Sequence, residues 1–115
     1  MITRFTPVLD ALIRLRGVRA SLVVAAPDGI AIDSNLQIGQ DGKRVAALAA
    51  SLYRKARSSA TAAGLGATGF MQLEAEDGRL CMIGGDEMVI VVVAARDANV
   101  GLIRVEMLRA AEALA

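Results

Sequence analysis

The side chains able to do chemistry in this sequence are few: a glycine-rich run, some neighbouring carboxylates and one cysteine. Gly64-Leu65-Gly66-Ala67-Thr68-Gly69 has the GxGxxG spacing that, at a strand-to-helix turn, lets a helix N-terminus meet a pyrophosphate. The flanking patterns run the wrong way, with an Ala-rich helical segment before the glycines and a strand pattern after them. The run is therefore expected to be a helix stop and a flexible connection. Glu74 with Glu76, and Asp86 with Glu87, are the carboxylate pairs available for acid–base work. Each lies beside a turn glycine, where carboxylates are solvated rather than held in the apolar pocket that raises a catalytic pKa. Cys81 stands in an apolar segment with no basic cluster nearby, which suits a buried, inert thiol. With no His and one Cys, the sequence has no Ser-His-Asp or Cys-His nucleophile, no His or multi-Cys metal site and no intrachain disulfide. A binding module is expected rather than an enzyme, with no metal and no small-molecule cofactor.

Length and composition bound what can carry such a module. The 115 residues (12.0 kDa) suit one domain spanning 1–115, and 55% hydrophobic against 22% charged residues supplies a core. The net charge of +1 gives no global field for nucleic acid or an anionic membrane. The longest apolar run, Met88 to Ala95, is far short of the ~20 residues of a membrane span, and Met1-Ile2-Thr3-Arg4 opens no signal-peptide pattern. A cytoplasmic protein without membrane insertion is expected. One Tyr, two Phe and no Trp leave few rings for stacking on bases or flavins.

Eight elements are expected to position these residues. Thr6 as N-cap and Pro7 at the first helical position open a helix to Arg16, with Asp10 in its first turn, Arg14 and Arg16 in its last and Gly17 as its stop. Val18–Ala26 is apolar or small on both alternating faces, as an interior strand is. Pro27-Asp28-Gly29 turns the chain into a shorter, more polar strand, Ile30–Ser34, placed at a sheet edge. Asp41-Gly42 opens the longest helix, Lys43–Ala63. Strands follow at Phe70–Ala75, Arg79–Ile83 and Glu87–Ala94, the last again apolar on both faces. Asn99 then caps a helix whose apolar face is Val100, Ile103, Met107, Ala110, Ala111 and Leu114. Two central strands covered on both sides require a three-layer α/β/α sandwich on an antiparallel five-stranded sheet.

The long helix carries different chemistry on its faces. Val45, Leu48, Ala49, Leu52, Ala56, Ala60 and Ala63 form the stripe expected to cover the sheet. A flanking stripe, Ala46, Ala50, Tyr53 and Arg57, begins with small residues that would let a second helix approach closely, although alanine also serves simply as a good helix former. Lys43, Arg44, Arg54, Lys55 and Arg57 against Asp41 make segment 41–57 +4, leaving −3 for the rest of the chain. If Phe70–Ala75 is the other sheet edge, its unpaired backbone invites another copy of the strand. Helix and edge pairing then point to one homodimer.

This order of elements resembles the roadblock / dynein light chain family. It includes the small-residue strand Gly17-Val18-Arg19-Ala20-Ser21-Leu22-Val23-Val24, the Asp28-Gly29 turn, the basic Ala-rich helix and the Gly84-Gly85-Asp86 turn before an apolar strand. The resemblance runs from Phe5 to Leu114. It implies a profilin-like sandwich, a homodimer through the long helix and middle edge strand, and a small Ras-like GTPase as partner, with no catalytic residue donated. By position, Lys43, Arg44, Ala47, Ser51, Arg54 and Lys55 would face the GTPase, and Ala46, Ala50, Tyr53, Arg57, Phe70 and Gln72 would serve self-association. An arginine finger from Arg54 or Arg57 is the one catalytic contribution conceivable. The alternative function is a small-molecule sensor on a PAS- or GAF-like sandwich, taking an aliphatic ligand.

Overall fold

A computed structural model describes residues 2–113 of the chain; the expectation for Leu114 lies outside them. The elements are α1 (Thr6–Ile13), β1 (Val18–Ala25), β2 (Ala31–Leu36), α2 (Gly42–Ala62), β3 (Met71–Ala75), β4 (Gly78–Gly84), β5 (Met88–Ala94) and α3 (Val100–Ala113). All pairings are antiparallel, in the order β2-β1-β5-β4-β3, so β1 and β5 are interior and β2 is an edge, as their side chains foretell, and β3 is the other edge. The two faces of the sheet carry separate cores. Leu22, Val24, Met82, Val89 and Val91 pack under α2, while Cys81, Ile90 and Val92 pack with Leu12, Ile103 and Met107 of α1 and α3. This is the expected α/β/α sandwich.

Several local features differ from the expected ones for identifiable reasons. The N-cap of α1 is Phe5, Thr6 lies inside the helix, and the Thr6 hydroxyl accepts from Thr3 N–H at 2.9 Å instead of capping. Asp10 sits beyond the first turn and accepts from Asn35 Nδ2 at 2.8 Å across to β2. The helix ends at Ile13, with Arg14 as C-cap and Arg16 outside it. Tight turns take over there: Leu15 N–H donates to the Leu12 carbonyl and Val18 N–H to that of Leu15, which reverses the chain into β1 and turns Leu15 onto the core. Ser21, the one buried polar residue of β1, donates its hydroxyl to the Leu9 carbonyl at 2.9 Å, which satisfies it without water.

The caps and turns that frame α2 follow the sequence closely. Asp41 Oδ1 accepts from Arg44 N–H at 3.2 Å, closing the N-terminus. Between β4 and β5, a Cβ on Gly84 would overlap the Met88 carbonyl oxygen, so no other residue fits that turn without moving the backbone.

Candidate interaction surface

The sheet face beneath α2 is lined by bulky side chains, so the helix can seat closely only by presenting small ones. Ala46, Ala49 and Ala50 do this, followed one turn later by Tyr53, and all four are fully buried. At Gly29 an added Cβ would lie 3.1 Å from the Ala47 Cα, which measures how near the first hairpin comes to the helix. The expectation that Ala46, Ala50 and Tyr53 turn outward to a second helix is thus overturned. They are spacers against their own sheet and offer no side-chain surface to a partner. The converse correction is Leu48, expected on the sheet and 63% exposed; Ala63 is likewise exposed, as the C-cap.

Opposite the buried stripe lies a continuous outward face. Lys43, Arg44, Ala47, Arg54 and Lys55 are exposed and Ser51 is half-buried. At 100° per residue these six fall within a sector of roughly 120°, beside Leu48. Among the described residues none of the four cations has a carboxylate within ion-pair distance. An exposed apolar side chain at the margin of unpaired positive charge suits an acidic protein surface that also offers an apolar contact.

The two arginines at the far end of the helix are tied down within the chain. Arg54 Nη1 donates to the Ala26 carbonyl at 2.6 Å. Arg57 donates to the Gly85 carbonyl at 3.1 Å and to Asp86 Oδ1 at 2.6 Å, and its guanidinium stands 5.5 Å from the centre of the Tyr53 ring. Both contacts clip α2 onto hairpin turns at one end of the sheet. Sequence reasoning missed Asp86 as the partner of Arg57, because the two lie 29 residues apart and only the fold joins them. Phe70 is half-buried and packs into the α1/α3 core beneath Arg104, 5.8 Å away.

Gln72 occupies the open edge of β3. Gly85 N–H donates to the Met88 carbonyl at 3.0 Å, so Ile83, Cys81 and Arg79 bond to β5, leaving Met82, Leu80 and Gly78 for β3. Their partners are Met71, Leu73 and Ala75. The backbone N–H and C=O groups of Gln72 and Glu74 therefore point out of the sheet, the unpaired edge that the strand pattern led one to expect.

The buried ionisable groups are kept neutral. Burial, above all, pushes the Tyr53 hydroxyl upward, against the opposing pull of Arg57, and burial likewise raises the Cys81 thiol. Tyr53 Oη and Thr68 Oγ1 are both buried without a hydrogen bond of ordinary geometry. Among the described residues no group of three or more Cys, Asp or Glu side chains could hold a metal, and no helix is long and apolar enough to cross a membrane. An open, largely apolar concavity of about 510 Å³ lies between the β4–β5 turn and α3, lined by Ile83, Met88, Ile90 and Ala111, with Asp86 and Glu87 at its rim.

Comparison with known proteins places this geometry. The sequence profile of the Roadblock/LC7 domain matches residues 5–94. The protein MJ1340 of Methanocaldococcus jannaschii is 35% identical over 105 residues, covering 91% of both chains. Among solved structures, Myxococcus xanthus MglB superposes with a TM-score of 0.86 at 23% identity, over 98% of this chain and 93% of that one. A Roadblock/LC7 domain from Streptomyces avermitilis gives 0.83 at 20% identity, over 93% and 91%.

Proposed function

The chain belongs to the Roadblock/LC7 domain family, and from that premise we propose that it is a non-catalytic, homodimeric regulatory or scaffolding module for a small Ras-like GTPase. The observation that carries this reading is the outward face of α2, where Lys43, Arg44 and Lys55 lie exposed beside Leu48 without a counter-charge among the described residues. Ala47 and Ser51 complete the partner-facing area. Arg54 borders it with its guanidinium anchored on the Ala26 carbonyl, a support for the helix rather than a free finger. Self-association uses the β3 edge, through the outward backbone of Gln72 and Glu74.

The experiment is affinity capture with the purified protein in the presence of a non-hydrolysable GTP analogue or GDP, alongside an Arg44→Glu, Lys55→Glu variant. A Ras-like GTPase enriched in one nucleotide state and lost from the variant is the expected result. Capture of no GTPase in either state, or capture unchanged by charge reversal, overturns the reading.

A further inference from the structure

The concavity between the β4–β5 turn and α3 holds about 510 Å³, inside the range of roughly 300–1,000 Å³ found for small-molecule sites. Three small residues open it. Met107 is fully buried beneath α3, but one turn further on the helix offers only Ala111, and Gly84-Gly85 give the facing turn no side chains. Gly84 is fixed by its crowding against Met88, whereas a Cβ on Gly85 would meet nothing within 4 Å, and the φ of Gly85 is not left-handed. Neither space nor backbone conformation requires glycine at 85; its bareness leaves the mouth of the concavity open. The lining has two chemistries. Ile83 and Ile90 form an apolar floor flanked by Met88 and Ala111, and its only charged side chains are Asp86 and Glu87 at the rim. Among the described residues Glu87 has no cation within ion-pair distance, while Asp86, 88% exposed, engages Arg57 through Oδ1 alone. An apolar recess beneath an uncompensated carboxylate concentrates cations and repels anions.

We propose that this concavity is a binding site for an amphipathic cation, a small molecule with an aliphatic tail on the Ile83 and Ile90 floor and a protonated amine against Glu87, with the free Oδ2 of Asp86 as a second acceptor. Charge sets the class of ligand. A fatty acid of the same length offers the same tail but brings its carboxylate against a rim of like sign, and a neutral alcohol gains the tail contact alone. The site lies on the α3 side of the sheet, away from the outer face of α2, and stands apart from the proposed GTPase role. Leu114 follows Ala111 by one turn in the sequence and is outside the described residues, so its side chain is the competing occupant that the test has to separate.

The test is a titration of the full chain with the series from butylammonium to octylammonium, followed through the methyl resonances of Ile83, Met88 and Ile90. Saturable shifts confined to these residues are expected, with Ile32 on β2 unmoved, and affinity rises by up to roughly fourfold per added methylene. Octanoate binds more weakly than octylammonium. Glu87→Gln lowers the affinity for octylammonium roughly two- to fivefold and leaves that for octanol unchanged. Ala111→Leu, which fills the recess, weakens binding of both. No saturable shift, equal binding of octanoate and octylammonium, or binding that appears only in a Leu114→Ala variant overturns the proposal, the last by giving the concavity to the chain's own leucine. Should the Glu87 or Ala111 variant fold poorly, the comparison of the three head groups on the wild type decides. None of these readouts involves the outer face of α2, so failure to capture a GTPase leaves them untouched.

Discussion

Tyr53 shows how differently one residue reads in sequence and in the fold. As the only tyrosine, on a stripe of small residues, it looked like surface for a second helix; it is instead a fully buried wedge between α2 and the sheet. Its ring fills the core while its hydroxyl lacks an ordinary hydrogen bond. Tyr53→Phe is therefore expected to leave the melting temperature unchanged or raised, within about 1 kcal/mol, since it removes an unsatisfied buried group. Tyr53→Ala empties the same space and is expected to cost about 3–5 kcal/mol in denaturant unfolding. A large loss with Phe would show that the hydroxyl is bonded after all. The same burial sets a pH dependence. Both Tyr53 and Cys81 titrate above their ordinary values in the folded chain, so the unfolded chain releases these protons first. Their stabilisation is complete below the ordinary values and declines as pH rises past them, so unfolding free energy should fall from about pH 9 upward and more steeply beyond 10. Cys81→Ala is expected to remove the earlier part of that decline, read from denaturant melts between pH 7 and 11.

At the scale of elements, the strands were easier to read than the helices. A strand apolar on both faces has to be interior, whatever its neighbours, and β1 and β5 are. A short strand with polar side chains belongs at an edge, and β2 does. Helix α2 was harder because alanine suits either face. The decision came from the sheet: over Leu22, Met82 and Val91 the helix buries Ala46, Ala49 and Ala50 together with the one large ring of Tyr53. Helix α1 was read too long for a similar reason: its apolar spacing continues to Leu15, which does reach the core, but through a turn. The edge strand β3 permits a selective perturbation. Gln72 directs its N–H away from β4, so Gln72→Pro removes an edge donor while leaving the β3–β4 ladder in place. Light scattering is expected to show reduced self-association with unchanged far-UV circular dichroism. An unchanged mass would exclude the β3 edge as the site of pairing.

Across the whole molecule, a net charge of +1 hides a concentration of +4 in residues 41–57. The fold sharpens that asymmetry, since Arg57 is neutralised by Asp86 while Lys43, Arg44 and Lys55 remain on the outer face of α2. Capture of an acidic partner through this face should weaken as salt rises from 50 to 500 mM, because the Debye length falls below about 5 Å over that range. Binding insensitive to salt would place the contact on apolar surface instead. The sequence by itself determined the order of the elements, the two interior strands and the β2 edge, the absence of catalytic chemistry built on histidine or paired cysteines, and the segment in which positive charge collects. These follow from periodicity, composition and turn residues, all local properties. Only the tertiary structure decided which stripe of α2 is buried, that Arg54 and Arg57 are clipped to hairpin turns, and which backbone groups leave the β3 edge of the sheet. Each of those depends on shape and hydrogen-bond parity between segments far apart in the chain, which no local pattern encodes.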